Sequence, residues 1–192
     1  MSRPLADYWA CQRGAYDHTP RWGHDDLIIA LCALVDARWI VELGSGDGNA
    51  TAKFIEYVQQ HPDKGRVWSV DKGATVAKAN LSHHQEATFV IADTVEFAGR
   101  AWRDGAIDVL YCDSDHSRQH VLNELNAWVP RFKPKLVLID DTLDPNAGFG
   151  SPYEAALDFV AANPGWRVWN IPIHTGLTIL VPPSSPRGGA HG

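Results

Sequence analysis

The sequence predicts an α/β fold: a doubly wound, mostly parallel seven-stranded sheet that ends in an antiparallel C-terminal hairpin strand. Three observations lead there. Between Trp39 and about Ala162, short apolar runs rich in β-branched residues alternate with helical patterns, at spacings that suit parallel strands joined by crossover helices. The run Trp39-Ile40-Val41-Glu42-Leu43 leads straight into Gly44-Ser45-Gly46-Asp47-Gly48 and then into a helical stretch, so strand, glycine turn and helix follow without a break. At the far end, two β-rich runs, 166–173 and 177–181, are joined only by His174-Thr175-Gly176, which is too short for a parallel crossover and suits a hairpin.

Taken in order, residues 1–23 form an N-terminal arm without a firm element, although Leu5, Tyr8, Trp9 and Tyr16 could make a short amphipathic piece. Two readings of its aromatics stand side by side: general packing, or Tyr8, Trp9, Tyr16 and Trp22 covering the substrate side of a pocket. The domain proper spans 24–182. It opens with a helix over 24–37, with Asp25 or Asp26 as cap or first-turn acid. Then come strand 39–43, helix 49–60, strand 66–71, helix 74–85, strand 88–93, helix 94–102, strand 107–113, helix 117–129, strand 136–141 and helix 152–162. Between the fifth strand and the last helix, 142–152 is long for a connection, and Phe149 between Gly148 and Gly150 reads as a mobile flap or as a plain connector. The tail 183–192 has a disorder-type composition.

The totals set limits. A chain of 192 residues fits one domain with one core. Its net charge of −6 and the absence of a basic block argue against a nucleic-acid partner. No apolar run reaches the roughly 18 residues of a membrane span, and Met1-Ser2-Arg3-Pro4 lacks the apolar core of a secretory signal. Cys11, Cys32 and Cys112 are odd in number and show no metal-type spacing, as expected of reduced thiols in a cytoplasmic protein.

The glycine turn invites a nucleotide-type cofactor, because the free N–H groups and dipole of the following helix favour an anionic group. The dinucleotide fingerprint fails, since its third glycine position is Asn49. Glu42-Leu43-Gly44-Ser45-Gly46-Asp47-Gly48 instead resembles the first motif of class I methyltransferases that use S-adenosylmethionine (SAM). The Rossmann-like, seven-stranded sheet with an antiparallel last strand is the topology this resemblance implies.

Ligands of open α/β sheets bind beyond the carboxyl ends of the strands, and here each of the first five strands carries an acid at or near that end: Glu42, Asp71, Asp93, Asp113, and Asp140 with Asp141. Any one of them could equally cap the next helix. Asp71, followed by Lys72, stands where a carboxylate accepts from a ribose diol. Asp93-Thr94 could meet an adenine edge while also capping helix 94–102. The resemblance gives these positions the same roles, and implies that Glu42, Gly44, Ser45 and Gly46 hold the methionyl end of SAM.

The most specific stretch is Tyr111-Cys112-Asp113-Ser114-Asp115-His116-Ser117, with Val121-Leu122-Asn123-Glu124-Leu125, Trp128-Val129-Pro130 and Val137-Leu138-Ile139-Asp140-Asp141-Thr142. Together, over about 24–181, they resemble the metal-dependent small-molecule O-methyltransferases of the antibiotic-tailoring, cephalosporin-modifying and macrolide-sugar type. Lys133-Pro134-Lys135 departs from the usual Pro-Gly-Gly, so that turn is expected to be built differently, away from the site. A metal also follows from geometry. Strands four and five, if adjacent, lie about 4.8 Å apart, so Asp113, Asp140 and Asp141 would crowd one crevice and repel unless a cation or protons intervene. Oxygen ligands of this kind suit Mg²⁺ or another divalent cation; the competing reading is a cluster of helix caps.

His116 and His120 stand four apart, but two such ligands without a third make a poor zinc site. His116 alone, or Asp115, is the candidate base that takes the acceptor's proton. The expectation is therefore methyl transfer from SAM to a hydroxyl of a small molecule, with no nucleic-acid or membrane partner and with monomer and homodimer both open. The alternatives are a metal-independent methyltransferase acting on nitrogen or on a macromolecule, and a non-catalytic protein that binds SAM or a metal.

Overall fold

The computed structural model describes residues 25–60, 65–73, 75–100, 107–143, 151–172 and 175–183. The expectations for the N-terminal arm, for Phe149 and its flanking glycines and for His174 fall outside these residues. In chain order the elements are α1 (Asp25–Leu34), β1 (Trp39–Leu43), α2 (Asn49–Gln59), β2 (Arg66–Asp71), α3 (Val76–Leu81), β3 (Ala87–Ile91), α4 (Thr94–Arg100), β4 (Val109–Cys112), α5 (Arg118–Phe132), β5 (Leu136–Ile139), α6 (Ser151–Ala162), β6 (Arg167–Ile171) and β7 (Leu177–Val181).

All seven strands join one sheet in the order β3-β2-β1-β4-β5-β7-β6. β1 pairs in parallel with β2 and β4, β2 with β3, and β4 with β5. β7 is antiparallel to both β5 and β6, so it alone runs against the rest. The chain order reverses between β1 and β4, which makes their carboxyl ends the topological switch point, where ligands of such sheets bind.

Both faces are covered, and the side chains of the central strands alternate between them as the pleat requires. Val41, Leu43, Leu110, Cys112, Val137 and Ile139 pack with α5 and α6 residues such as Leu125, Trp128 and Phe159. Ile40, Val109, Tyr111 and Leu138 pack with Ile28 and Cys32 of α1 and with Phe54, Ile55 and Val58 of α2. Trp128 is fully buried, and its indole N–H donates to the Thr94 carbonyl at 2.9 Å, so the large ring is bought into the core without an orphaned donor.

Several boundaries differ from the sequence expectation for identifiable reasons. α3 is shorter than 74–85: Thr75 caps it by accepting from the Lys78 N–H, and it ends at Leu81, the last residue that anchors it in the core. α5 runs three residues beyond 129, through Pro130, because Phe132 still has a place in the core. It stops where Lys133 takes a left-handed conformation (φ 48°) ahead of Pro134, a residue that disfavours helix before it. Lys135 then reaches Asp108 at 2.8 Å and the Val35 carbonyl at 3.2 Å, at the amino ends of the strands, so the atypical Lys-Pro-Lys turn does lie away from the site. No helix among the described residues is long and apolar enough to cross a membrane.

Candidate active site

The glycine turn after β1 is shaped by its backbone. Gly44, Gly46 and Gly48 all have positive φ (90°, 43° and 90°), the region side chains avoid. At Gly44 there is a second constraint: a Cβ would lie 2.2 Å from the Asp113 carbonyl oxygen and 2.6 Å from Ser114 Cα. The turn after β1 and the turn after β4 therefore touch backbone to backbone. At Gly46 a Cβ would meet nothing within 4 Å among the described residues, so the turn opens there onto space that they leave free.

Asp71, at the end of β2, holds this turn. Its Oδ2 accepts from the Ser45 N–H at 3.0 Å and the Gly46 N–H at 3.4 Å, and its Oδ1 accepts from Gly73 N–H at 3.0 Å. The Ser45 hydroxyl lies 2.8 Å from that of Thr75, which ties the turn to the cap of α3 as well. Glu42 lies beneath: its carboxylate is 1 % exposed and one oxygen accepts from the hydroxyls of Thr51 and Ser69, each at 2.6 Å. Burial pushes its pKa up to about 8, against the pull of those two hydroxyls and with the help of the nearby Asp113 and Asp71 charges. In this arrangement Glu42 supports the turn from inside the sheet, with its carboxylate engaged by the chain's own hydroxyls.

At the β3 end, Asp93 is exposed and caps α4, accepting from the N–H groups of Val95 and Glu96 at 2.9 Å. Thr94 does not share that outlook. It is buried, and its hydroxyl donates to Glu124 Oε1 at 2.6 Å, so of the expected pair only Asp93 faces outward. Lys72 is exposed, and its charge helps to hold the pKa of Asp115 down.

Across the switch point, Asp113, His116 and Asp141 each offer a ligand atom within 4.8 Å of the others. His116 Nε2 is 3.3 Å from Asp113 Oδ1, and its Nδ1 is 3.6 Å from Asp141 Oδ2. The set differs from the expected Asp113, Asp140 and Asp141. Asp140 stands beside this set: its Oδ2 accepts a short hydrogen bond from the Tyr111 hydroxyl, which also lies 3.5 Å from Asp113 Oδ2, and its Oδ1 accepts from the Asp141 N–H at 2.7 Å. Asp141 joins the cluster from a left-handed backbone (φ 51°), an uncommon conformation for a residue other than glycine.

The electrostatics of this cluster match a place for a cation. Burial raises the Asp113 pKa to about 7, with the charges of Asp140 and Asp141 adding to it and the hydrogen bond from His116 opposing it. His116 is raised in turn, chiefly by its hydrogen bond to Asp113. Two carboxylates, converging and partly exposed beside an imidazole, fit a divalent metal. Asp115 has the opposite character: it is exposed, it accepts from the Ser117 N–H at 2.9 Å, and that bond lowers its pKa, which makes it a weak base. His120 does not join His116. Its Nε2 sits 3.1 Å from Glu124 Oε1 and 3.2 Å from the Thr94 hydroxyl, so the zinc pairing does not form.

The sequence reading passed over two residues that shape the site. Tyr111, fully buried and packed edge-on against Phe54, donates to Asp140 and lies 3.5 Å from Asp113 Oδ2. Glu124 is fully buried as well, and a signal for it existed: it falls on the apolar stripe Val121, Leu125, Trp128 of α5, where a carboxylate is out of pattern.

A family model described as a methyltransferase domain matches residues 41–142. No curated protein matches the chain. Among solved structures, the O-methyltransferase TomG from Streptomyces achromogenes, involved in tomaymycin synthesis and solved in complex with SAM, is similar with a TM-score of 0.71, 17 % identity, and coverage of 94 % of this chain and 89 % of that one. A Staphylococcus aureus protein assigned to the caffeoyl-CoA O-methyltransferases gives a TM-score of 0.69 at 16 % identity, covering 94 % and 93 %. The SAH-bound methyltransferase PaMTH1 of Podospora anserina gives 0.70 at 11 % identity, covering 96 % and 90 %. At such identities the agreement is one of fold.

Proposed function

Because the chain belongs to the methyltransferase-domain family and is a SAM-dependent methyltransferase, we propose that it transfers the methyl group of SAM to a hydroxyl of a small molecule, assisted by a divalent cation. The observation that carries the proposal is the convergence of Asp113, His116 and Asp141 within 4.8 Å beside the turn after β4, whose backbone touches Gly44. Acceptor and donor ends would then meet at one point of the sheet, and aligning two reactants in this way removes much of the entropic part of the barrier.

The residues divide the work. Asp71 keeps the turn closed so that its backbone and the start of α2 face the donor. Asp93, the outward acid at the β3 end, would meet the adenine edge. Asp113 and Asp141, with His116 beside them, would hold the cation. A cation there supplies Lewis acidity that lowers the pKa of an acceptor hydroxyl. Mg²⁺ suits the carboxylate oxygens, with Mn²⁺ able to take its place, and the His116 imidazole stays free to act as a base. In the transfer, the bond from carbon to the sulfonium sulfur breaks as the bond to the acceptor oxygen forms. The hydroxyl proton passes to His116, giving a methyl ether and S-adenosylhomocysteine. His116 is preferred to Asp115 as base because Asp115 has a lowered pKa and faces solvent.

The acidic surface balance supports a small acceptor over nucleic acid, and the buried free thiols Cys32 and Cys112 support a reducing, cytoplasmic setting. The test is methyl transfer from SAM to a panel of sugar, phenol and catechol hydroxyls, with EDTA and with Mg²⁺ or Mn²⁺ added back. Loss of turnover in EDTA, its return with metal, and an Asp113→Ala variant that metal does not restore are the expected results. Undiminished turnover in EDTA, or methylation confined to nitrogen or to a macromolecule, would overturn the proposal.

A further inference from the structure

We propose that Glu124 is a positioning residue for methyl transfer, one that fixes the Asp113–Ser114 turn and with it the direction in which Asp113 is presented to a cation. The inference rests on the cation reading above and extends it to a residue that touches neither reactant.

Glu124 lies on α5 with its side chain fully buried. Its Oε1 gathers three partners: the Ser114 hydroxyl at 2.5 Å, the Thr94 hydroxyl at 2.6 Å and His120 Nε2 at 3.1 Å. Its Oε2 is buried with no hydrogen-bond partner among the described residues. Thr94 begins α4, directly after the β3 turn, and its carbonyl is itself held by Trp128. Ser114 directly follows Asp113. One carboxylate oxygen thus joins the turn after β3 to the turn after β4 from within the protein.

Ser114 is gripped from the other side too, because its Cα stands against Gly44 so closely that a Cβ there would come within 2.6 Å. The residue next to the cation ligand therefore has its main chain against the donor turn and its side chain on Glu124. For stability alone this is a poor design: a buried carboxylate with one unserved oxygen costs more than an apolar side chain of similar size, and Val121, Leu125 and Trp128 around it are apolar. What the carboxylate gives instead is direction. Two hydroxyls on separate turns donate to the same atom, so neither turn can rotate without breaking a buried hydrogen bond.

The experiment uses the full chain and reads metal binding rather than turnover. Mn²⁺ and SAM are titrated separately by calorimetry into the wild type and into the S114A, E124Q and E124A variants, and thermal unfolding of each is followed. Partners that orient metal ligands typically contribute about tenfold or more to metal affinity, so S114A is expected to weaken Mn²⁺ binding about tenfold while its melting temperature and SAM affinity stay close to wild type. E124Q keeps an acceptor oxygen for both hydroxyls and should hold Mn²⁺ affinity near wild type. E124A, if it folds, should fall at least as far as S114A; S114A carries the test if it does not. Mn²⁺ affinity unchanged in S114A, with Mn²⁺ binding the wild type, overturns this inference and leaves the cation reading in place. A wild type that gives no Mn²⁺ heat overturns the cation reading and this inference with it.

Discussion

Two glycines of the same turn make opposite demands, and replacing each with alanine separates structure from function. At Gly44, φ of 90° strains any side chain, and the new Cβ meets Asp113 and Ser114 backbone atoms at 2.2 and 2.6 Å, which cannot rotate away. The left-handed conformation costs about 1–2 kcal/mol and overpacking about 1–3 kcal/mol more, so Gly44→Ala should destabilise the fold by about 2–5 kcal/mol. At this chain length that is a fall of roughly 4–20 °C in Tm. Gly46 shares the positive φ, but a Cβ there meets nothing within 4 Å among the described residues. Gly46→Ala should therefore cost only the conformational part, about 1–2 kcal/mol or roughly 2–8 °C. If the open space at Gly46 is where SAM lies, that milder variant should still lose SAM affinity clearly. Thermal unfolding by circular dichroism and calorimetric SAM titration measure both quantities. A Gly44→Ala protein that melts with the wild type would refute the contact between the two turns, and a Gly46→Ala protein that binds SAM normally would refute the location of the donor.

Other expected outcomes follow from the hydrogen bonds and charges. Asp71→Ala removes the acceptor of the Ser45, Gly46 and Gly73 N–H groups, so SAM affinity should drop by more than tenfold on a calorimetric titration while Mn²⁺ binding changes less. The Glu42 pKa of about 8 lies above the ordinary 4.5, so the folded state holds that proton more tightly than the unfolded chain. The stabilisation is complete below about pH 4.5 and is lost as pH rises through about 8, and Glu42→Gln, which cannot ionise, should flatten this decline in urea titrations between pH 6 and 9. A cation must displace the proton held by Asp113, whose pKa is about 7. Mn²⁺ affinity should accordingly strengthen from pH 6 to pH 8, and a flat profile would exclude Asp113 as a ligand.

The parts of the molecule that sequence patterns encode are those governed by periodicity. β4 and β5 are covered on both faces and read as unbroken apolar runs, β1 reads as one interrupted only by Glu42, and the short link before Leu177 required a hairpin whatever packed around it. Acids at strand ends were visible too, since their position follows once the strands are placed. Which way each acid points was not visible. Asp140 and Asp141 are adjacent in sequence, yet one accepts from the Tyr111 hydroxyl on another strand and the other stands 3.6 Å from His116 on a left-handed backbone. From its place after Asp93, Thr94 is expected to face a ligand, but a carboxylate thirty positions away, Glu124, draws it inward. Such preferences depend on partners distant in sequence, which a pass along the chain does not bring together.

The reversed direction of β7 has a practical consequence. A strand laid down parallel would finish at the carboxyl rim, whereas this one starts there, so its preceding hairpin bend is stitched to the chain just past the paired acids, with Thr142 and Leu143 donating to the Gly176 and Thr175 carbonyls at 3.2 and 2.6 Å. The bend stands on the opposite flank from Asp71 and belongs to a two-stranded unit that no crossover helix constrains. Changes at Thr175 would therefore be felt by the chain just past Asp141 before they reach the turn held by Asp71, which lies beyond β5, β4 and β1.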